Sequence, residues 1–425
     1  MSANPGRVLL LMTSTTYRAA AFLAAAGRLG VEVTVGTDRP QALAGLNPAG
    51  HLTLDYGDPE GAARFVSAYG AQHPLHAVVA ADDDGALIAA LAARALGLRH
   101  HPPDGVRAAR DKLLTRTRLA TAGLPAPWFE ALAPGADPAA AARRVRYPCV
   151  LKPRALAASR GVMRADDPAG FVAAFHRLEA LLARSDARTA DRPDAPGMLV
   201  EGFLPGGEVA LEGLMTDRKL RTLAVFDKPD PLAGPFFEET LYVTPSRLPA
   251  AALAAVERAV ADGARALGLA HGPVHAELRL AAGGPFVLEI APRSIGGLCS
   301  RALRFGDGVT LEELILAHAL GRDVAGLNRE PGGSGVMMIP IPAPGMLVGV
   351  GGVEAARAVP GVDEVRITIA PGQPVEPLPE GARYLGFLFA RGARPEDAEA
   401  ALREAHRRLE IVIEPTGAQV PRERP

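Results

Sequence analysis

Short apolar runs alternate with amphipathic stretches over the first hundred residues. The apolar runs are VLLLM (8–12), VEVTVGT (31–37) and AVVAAD (77–82), and the helical patterns cover Thr16–Leu29, Pro59–Tyr69 and Gly85–Leu96. Continuous apolar runs of this length are typical of parallel strands that helices cover on both faces. The pattern therefore predicts an open α/β sheet in residues 1–105, ending where Pro102 and Pro103 break the periodicity.

Polar residues follow two of these strands. Asp82, Asp83 and Asp84 end one strand, and the hydroxyl-rich segment TSTTYR (13–18) follows another. The carboxyl ends of parallel strands meet at one edge of a sheet. The aspartates either cap the next helix or contact a cationic group of a substrate, and the hydroxyls are placed to hold an anion.

Two apolar runs around a small-residue turn predict a β-hairpin at Val274–Arg293, VHAELRLAAGGPFVLEIAPR. Glu277 and Glu289 are symmetric about position 283, so the simplest register places them directly opposite each other. The two-residue period puts His275 and Arg279 on the same face. Facing carboxylates repel, so we expect a cation between them, and Mg²⁺ suits such a pair. The alternative is a solvated face that carries a ladder of charges.

The other face of the hairpin is expected to be buried. By the same alternation it carries Leu278, Leu280, Leu288 and Ile290. The sequence therefore predicts a hairpin with one apolar face and one charged face.

A strand, a lysine and a loop of small residues together suggest a phosphate-binding segment. Strand YPCVLKP (147–153) contains Lys152 near its end and leads into RALAASRGV (154–162). Backbone N–H groups and a lysine ammonium match phosphate oxygens. Gly161 is the single glycine of the loop, so the match is weaker than a P-loop. Lys112, at the start of a predicted helix, is by itself most simply a surface lysine.

Segment 198–215, MLVEGFLPGGEVALEGLM, predicts two strands joined by Leu204–Gly207. Backbone groups along such a linker can bind a nucleotide base, and Glu208 is placed to accept hydrogen bonds from ribose hydroxyls. The alternative is a plain hairpin in which Glu201, Glu208 and Glu212 face water.

The last hundred residues predict a smaller α+β unit. Its strands are expected at 335–342, 362–370 and 384–392, with a helix at Pro395–Leu409 and a disordered tail, TGAQVPRERP. We therefore expect an N-terminal α/β domain (1–105), a central domain (106–330) with a lid at about 128–200, and a C-terminal α+β domain (331–425). Within the lid, the polar, proline-interrupted stretch 183–197 predicts a mobile excursion.

The composition indicates which binding partners and which cellular compartment to expect. The 425 residues include 46 basic and 47 acidic side chains, a formal charge of −1, so no overall field favours nucleic acid or an anionic membrane. The sequence shows neither a signal-peptide pattern nor a run of 18 apolar residues. With two cysteines, Cys149 and Cys299, a reducing cytoplasm is the expected location.

Taken in order along the chain, these motifs resemble the ATP-grasp superfamily. A lysine at a helix start, VLKP with its loop, VEGFLPGGEV, and paired glutamates ending in LEIAPR carry the resemblance over roughly residues 8–320. The ending EIAPRSIGGLCSR and the third unit look like the carboxylate–amine ligases that include the L-amino-acid (dipeptide) ligases. The resemblance implies an ATP-grasp fold of α/β and α+β class, with an N-terminal open parallel sheet (the pre-ATP-grasp domain) and a small C-terminal α+β domain.

The resemblance also implies roles for individual residues. ATP would contact Lys112, Lys152, Ser159, Gly161, Val162, Glu201, Phe203, Leu204 and Glu208, with Glu208 on the ribose. Mg²⁺, or Mn²⁺ in its place, would be bound between the phosphates by Glu277 and Glu289. Lys152 and Arg293 would be catalytic, with Arg293 stabilising charge on the transferred phosphoryl group or acyl-phosphate. The substrate pocket would include His275, Arg293, Ser294, Gly296 and Gly297.

Three of the residues near this ending keep a second interpretation. A structural role is the alternative for His275. Arg301 and Arg304 either bind a substrate carboxylate or line the surface, and the sequence does not decide between these roles.

One position departs from the family pattern. Many relatives place an asparagine two residues after the second metal-binding glutamate, where this chain has Ala291. By alternation Ala291 faces the metal side, so one protein oxygen is missing and water would replace it. Mg²⁺ normally keeps several waters, so the loss of one amide need not abolish binding.

The implied activity is ATP-dependent formation of a dipeptide-like amide through an acyl-phosphate, with release of ADP and phosphate. The lid would exclude water, which competes with the amine. The alternatives are bicarbonate activation as in a biotin-dependent carboxylase, a purine-pathway ligase, a small-molecule kinase and a non-catalytic nucleotide-binding protein. The expected partners are small-molecule carboxylates and amines, with no nucleic acid and no membrane, and a homodimer is compatible with the family.

Overall fold

The computed structural model describes residues 6–41, 45, 47, 49–184 and 197–415, and the strands in these ranges form four sheets. The predicted tail and most of the predicted excursion at 183–197 lie outside the described residues. No helix within them is both long enough and apolar enough to cross a membrane.

The N-terminal region forms the predicted parallel sheet. Its elements are β1 Arg7–Met12, α1 Ala19–Leu29, β2 Glu32–Thr37, β3 His51–Thr53, α2 Pro59–Gln72, β4 Ala77–Ala80 and α3 Asp83–Ala95. The strand order is β3-β2-β1-β4, and every neighbouring pair is parallel. Helix α1 begins at Ala19 rather than Thr16, because the Thr16 hydroxyl donates a hydrogen bond to Asp82 Oδ1 (2.9 Å) in the loop at the sheet edge.

The next segment forms a pair of helices and a sheet that we call the lid sheet. Its elements are α4 Pro103–Arg110, α5 Lys112–Thr121, β5 Phe129–Leu132, α6 Pro138–Ala142, β6 Cys149–Pro153, β7 Met163–Ala165, α7 Pro168–Ala183 and β8 Met198–Gly202. The lid sheet has the order β5-β8-β6-β7, and α7 packs against β6 and β7. Asp111 separates α4 from α5 and caps α5 by accepting a hydrogen bond from the Leu113 amide (2.9 Å).

The remaining strands form an eight-stranded central sheet and a three-stranded sheet. The elements are β9 Gly207–Thr216, β10 Lys219–Lys228, β11 Leu241–Thr244, α8 Ala250–Leu267, β12 Gly272–Ala281, β13 Gly284–Ala291, a 3₁₀ helix Cys299–Ala302, α9 Leu311–Ala319, β14 Gly333–Ile339, β15 Gly345–Gly351, α10 Val353–Arg357, β16 Val362–Ile367, β17 Pro374–Val375, β18 Gly386–Gly392, α11 Pro395–Arg407 and β19 Glu410–Glu414. The orders are β13-β12-β9-β10-β11-β14-β18-β16 and β17-β15-β19.

Two sequence expectations change in the light of this topology. β8 lies in the lid sheet and β9 in the central sheet, so the plain-hairpin alternative for 198–215 is wrong. β14 pairs with β11, with Met337 opposite Leu241, so the three strands predicted for the third unit, now β14, β16 and β18, all extend the central sheet. The domain boundaries therefore stay a prediction.

The hairpin of β12 and β13 places Glu277 directly opposite Glu289, as the sequence predicts. A β-bulge follows this pair, because Leu278 lies opposite Val287 and Leu288 becomes the extra residue. Val287 is buried in the core, whereas Leu288 lines the cavity that holds the two glutamates. The prediction that Leu288 lies on the buried face is therefore wrong, since a bulge reverses the alternation locally.

Histidines lie at the junction between the N-terminal region and the central sheet. The buried ring of His101 accepts a hydrogen bond from the Ala270 amide at Nδ1 (3.1 Å) and donates from Nε2 to the Pro273 carbonyl (3.1 Å). His271 stacks on His318 with ring centroids 4.4 Å apart. Burial lowers the pKa of both His101 and His318 to about 4.

A glycine substitution tests the connection between the lid sheet and the central sheet. Gly206 has φ +124°, and a Cβ there would lie 2.0 Å from the Leu280 carbonyl oxygen. Gly206→Ala should therefore lower the free energy of unfolding by roughly 2–4 kcal/mol, through backbone strain and overlap. Gly207→Ala is the matched control, because no atom lies within 4 Å of a Cβ at that position. Equal stability of the two variants in chemical denaturation would contradict the expectation.

The junction histidines predict a loss of stability in acid. The folded pKa of His101 lies below the ordinary value of about 6.5, so the unfolded chain takes up a proton first as the pH falls. Stability is therefore lost from about pH 6.5 down to pH 4, and His101 alone should account for roughly 2 kcal/mol between pH 7 and pH 5. His101→Gln should remove this part of the loss.

The measurement is the free energy of unfolding at pH 7 minus that at pH 5. His176→Gln, at an exposed position on α7, is the control and should keep the full wild-type difference. An unchanged difference in His101→Gln would overturn the assignment.

Candidate active site

A cavity of about 320 Å³ lies where the lid sheet meets the central sheet. Fourteen of the residues predicted from the sequence line it: Lys112, Lys152, Ser159, Val162, Glu201, Phe203, Leu204, Glu208, His275, Glu277, Glu289, Arg293, Gly296 and Gly297. They come from α5, the lid strands β6 and β8, strand β9, the hairpin β12–β13 and the loops that follow β6, β8 and β13. Segments far apart in sequence therefore converge on one space.

Two predicted residues lie outside this cavity. The Gly161 amide donates a hydrogen bond to the Pro379 carbonyl (2.9 Å), and a Cβ there would lie 2.8 Å from Leu178 Cδ1. Ser294 is buried, and its hydroxyl accepts a hydrogen bond from Arg18 (2.7 Å). In this structure both residues serve packing around the cavity.

Lys152 is held by a buried ion-pair network. Its ammonium donates to Glu201 Oε1, and Arg116 pairs with both oxygens of the same carboxylate (2.7 and 3.2 Å). Burial would raise the pKa of Glu201, but Arg116 and Lys152 lower it to about 2. Glu201 thus fixes Lys152 at the cavity wall, and the alternative in which Glu201 faces water is wrong.

Lys112 also lines the cavity. Its ammonium donates to the Leu156 carbonyl in the small-residue loop (2.6 Å) and lies 3.8 Å from Glu289 Oε2. Lys112, which in isolation resembles a surface lysine, therefore connects the loop to the charged face of the hairpin. Both predicted phosphate-contacting lysines face the same space.

A buried lysine that the sequence analysis missed lies at the centre of three carboxylates. Oxygens of Glu208, Glu239 and Glu277 lie within 4.8 Å of one another. The Lys228 ammonium donates to Glu208 (2.6 Å) and to Glu239, and lies 3.5 Å from Glu277. We call these four residues the Lys228 cluster. Its carboxylates supply hard oxygen donors of the kind that divalent ions prefer.

The carboxyl groups of the Lys228 cluster differ in pKa. Burial and the Glu277 carboxylate raise the pKa of Glu239, whereas Lys228 and His275 lower that of Glu277 despite its burial. Glu239 is therefore the carboxyl that most readily carries a proton. Glu208 is held on its second oxygen by Arg279 (2.9 Å), so both of its oxygens have cationic partners.

His275 faces the carboxylates, as the alternation predicts. Its Nδ1 lies 3.1 Å from Glu212 Oε2 and its Nε2 lies 3.6 Å from Glu277 Oε1. Burial lowers the pKa of His275, but its two carboxylate partners outweigh burial and raise it to about 9. His275 therefore pairs with buried Glu212, whose own pKa is raised by burial, and Glu212 also accepts a hydrogen bond from the Ile295 amide (3.0 Å).

Arg293 is oriented by the N-terminal region. Its Nε and Nη2 both donate to Asp83 Oδ2 (2.9 and 2.7 Å). Asp82 instead accepts hydrogen bonds from the Thr13 amide and the Thr16 hydroxyl. The sequence left helix capping and a substrate contact open for these aspartates. In the structure Asp83 contacts the predicted catalytic arginine, and Asp82 holds the loop that follows β1.

Apolar groups form two further parts of the cavity wall. Phe203 and Phe237 belong to a small apolar cluster between the lid and the central sheet, next to Leu204. The other part is formed by Cys299, Met338, Tyr384 and Phe387. The cavity wall therefore offers an apolar surface at two places beside its charged residues.

Several functional candidates were not visible in the sequence. Glu239 lies in FFEETLYV (236–243), where paired glutamates before an apolar strand were the available signal. Lys228 ends β10 and carries no local motif.

Arg301 and Arg304 line a separate groove, and Arg301 pairs there with Glu364. Arg301 and Arg304 therefore lie away from this cavity, and their role stays open between binding a substrate carboxylate and lining the surface.

Three family models match successive parts of the chain. The ATP-grasp N-terminal domain matches residues 23–116, the ATP-grasp domain residues 145–302, and the L-amino acid ligase C-terminal domain 2 residues 337–414. The three matched segments follow one another along the chain in the order N-terminal, central and C-terminal.

Solved structures give the same result. The L-amino acid ligase from Bacillus licheniformis is 28% identical, with a TM-score of 0.83 over 97% of this chain and 100% of that chain. The biotin carboxylase domain of the Hydrogenobacter thermophilus 2-oxoglutarate carboxylase has a TM-score of 0.65 at 15% identity, over 95% of this chain and 90% of that chain. The second likeness shows a common fold alone.

Two of the relatives in sequence are named as a ligase and a synthase. Alanine–anticapsin ligase of Bacillus amyloliquefaciens is 29% identical over 53% of this chain and 50% of that protein. Carnosine synthase 1 of Gallus gallus is 32% identical over 56% of this chain and 27% of that protein. The chain spans half or less of the length of these two relatives. It belongs to the ATP-grasp superfamily, in the carboxylate–amine ligase branch that includes the L-amino-acid ligases.

Proposed function

We propose that the protein is an ATP-dependent ligase that joins the carboxylate of one amino-acid-type substrate to the amine of another. The observation that carries the proposal is the convergence of Lys112, Lys152, Glu277, Glu289 and Arg293 on one cavity. None of these side chains needs to act as a nucleophile. Phosphoryl transfer depends chiefly on positioning and charge neutralisation, which this set supplies.

ATP is proposed to bind with its adenine against Phe203 and Leu204, where backbone groups after β8 are available. Arg164 already lies over the Phe203 ring, 4.1 Å from its centroid, and stiffens this wall. Lys112 and Lys152 would meet the phosphates, with Ser159 and Val162 of the loop above them. Glu201 supports this role by holding Lys152 in place, and Glu208 would reach the ribose.

Glu277 and Glu289 are proposed to bind Mg²⁺, with Mn²⁺ as a substitute, and Glu239 is a third candidate. The fit is supported by the oxygens of Glu277 and Glu239, which lie close together in a buried setting that already attracts a cation, Lys228. Ala291 contributes no oxygen. When bound, the ion would neutralise phosphate charge during transfer.

The proposed reaction has two steps. A carboxylate oxygen of the first substrate attacks the γ-phosphorus, the bond to the bridging oxygen breaks, and ADP leaves. The amine nitrogen of the second substrate attacks the acyl carbon, phosphate leaves, and the nitrogen loses a proton. Arg293 would stabilise the charge on the transferred group, and Asp83 would orient Arg293 through its two hydrogen bonds. The lid would exclude water from the acyl-phosphate.

The substrate class is supported by the relatives and by the cavity wall. The relatives' names specify ligases of L-amino acids and of alanine with anticapsin. Gly296 and Gly297 leave room beside His275, and Tyr384 and Phe387 offer an apolar surface for a substrate side chain. An amino acid with an apolar side chain is therefore the proposed carboxylate donor.

Replacing one metal ligand tests the proposal. Glu289→Ala should lower amine-dependent ADP release by at least about 100-fold, because charge neutralisation at the phosphates is lost. Glu179→Ala, at an exposed position on α7, is the control and should keep wild-type turnover. Wild-type-like turnover of Glu289→Ala would overturn the metal assignment.

The reaction itself is tested on the wild-type protein with a panel of amino-acid pairs, by ADP release and product mass. The expected product is an amide formed in equal amount to ADP. ADP release that needs bicarbonate and no amine, or ATP binding without ADP formation, would contradict the proposal.

A further inference from the structure

The lid contacts a turn of the C-terminal region across about two hundred residues of sequence. We call residues 376–380 the clamp. Glu380 pairs with Arg177 of α7 through two hydrogen bonds, one of them 2.8 Å long, and Glu376 pairs with Arg184 through both of its oxygens (2.9 and 3.2 Å). Two arginines of the lid are therefore bound by two carboxylates of the clamp.

The clamp also binds the predicted phosphate loop, through one backbone amide and one side chain. The Gly161 amide donates to the Pro379 carbonyl (2.9 Å), and Arg160 Nε donates to the Glu380 carbonyl (3.0 Å). These bonds act on the loop whose neighbours Ser159 and Val162 line the catalytic cavity. The position of the loop over the cavity is therefore coupled to the clamp.

The clamp itself is firmly attached to the C-terminal region. Val375, which precedes it, is buried and pairs with Gly345 in the three-stranded sheet. The Gly381 amide closes a turn on the Pro377 carbonyl (2.8 Å). The clamp is thus anchored in the C-terminal region, whereas α7 and the loop 154–162 are the parts that it can hold or release.

The ion pairs lie at the rim of a second cavity of about 950 Å³. Arg160, Arg184, Glu376 and Glu380 line it, and it shares Lys112, Asp83, Glu289 and Gly297 with the catalytic cavity. The two cavities therefore adjoin, and the gap between lid and clamp is a way in for solvent or substrate.

Resting on the ligase function proposed above, we propose that Glu376 and Glu380 are positioning residues that hold the lid closed over the acyl-phosphate. While both pairs are made, water stays out and the acyl group goes to the amine. When they open, water attacks the acyl carbon instead, and ATP is consumed without amide formation. The pairs are partly exposed, so they can open, and salt should weaken them.

The test is the number of ADP molecules released per amide formed. In the double variant Glu376→Gln, Glu380→Gln this ratio should rise about threefold to tenfold at low salt. Raising the ionic strength should raise the ratio of the wild type toward that of the variant and leave the variant nearly unchanged. Glu354→Gln, which breaks an exposed ion pair with Arg357 on α10, is the matched control and should match the wild type.

A charge exchange separates positioning from general destabilisation. Arg177→Glu alone should raise the ratio, and Arg177→Glu combined with Glu380→Arg should bring it back to within about twofold of the wild type. A double Gln variant with a wild-type ratio would overturn the proposal, as would an exchange variant that fails to restore it.

Hydrogen exchange gives a readout that needs no turnover. The amide of Gly161 should exchange faster in the double Gln variant than in the wild type, because its hydrogen bond to Pro379 is released more often. If the wild type makes no amide from any amino-acid pair, the proposed function fails, and the exchange rate still decides whether the clamp holds the lid. An unchanged exchange rate of the Gly161 amide in the double Gln variant would contradict the proposal that the clamp holds the lid.

Discussion

The burial of like charges around Lys228 is the constraint on which the site depends. Carboxylates that are buried close together are costly unless a cation compensates them. Glu208 comes from β9, Glu277 from β12 and Glu239 from the segment before β11, and one ammonium holds all three. Since Lys228 ends β10, the central sheet must bring these strands side by side before the charges are balanced. The same excess of negative charge accounts for a cationic His275 and for Arg279 on the far oxygen of Glu208, so the polarity of the whole cavity follows from it.

The bulge in the β12–β13 hairpin makes the charged face possible. Beyond the bulge, Glu277 lies opposite Glu289 and Ala276 opposite Ile290. Without the extra residue, Leu288 would lie opposite Glu277, and Glu289 would lie opposite Ala276, whose side chain is buried in the core. A one-residue shift in a strand exchanges its faces, so Glu289 would then point into the apolar core. Leu288 thus supplies the shift that keeps both glutamates in the cavity, and it becomes part of the wall itself.

The sequence predicted what depends on local order and missed what depends on distant partners. Alternation and the small-residue turn were sufficient to pair Glu277 with Glu289, because symmetric spacing allows one simple register. They could not reveal the bulge, because next to the turn Ala281 lies opposite Gly284 and Leu280 opposite Pro285, and the symmetric pairing is reached only through the extra residue Leu288. The parallel N-terminal sheet followed from its apolar runs. Lys228 was missed because it lies in no motif, and the pairing of Asp83 with Arg293 could not be predicted because the two residues are 210 positions apart. The continuity of the central sheet into the C-terminal region was missed for the same reason, since pairing between β11 and β14 has no local pattern.

Burial separates the fixed polar contacts of the cavity from those that can move. The side chains of Arg293 and Asp83 are 12% and 24% exposed, and the N-terminal sheet behind them packs into the central sheet through an apolar cluster that includes Leu10, Phe22 and Phe305. Arg184 of the lid and Glu376 of the clamp, which form an ion pair, are 50% and 42% exposed. An ion pair in water contributes little and weakens with salt, whereas a shielded pair persists. The position of Arg293 is therefore fixed by contacts that the fold shields from water, whereas the lid is held to the clamp by exposed ion pairs that salt can weaken.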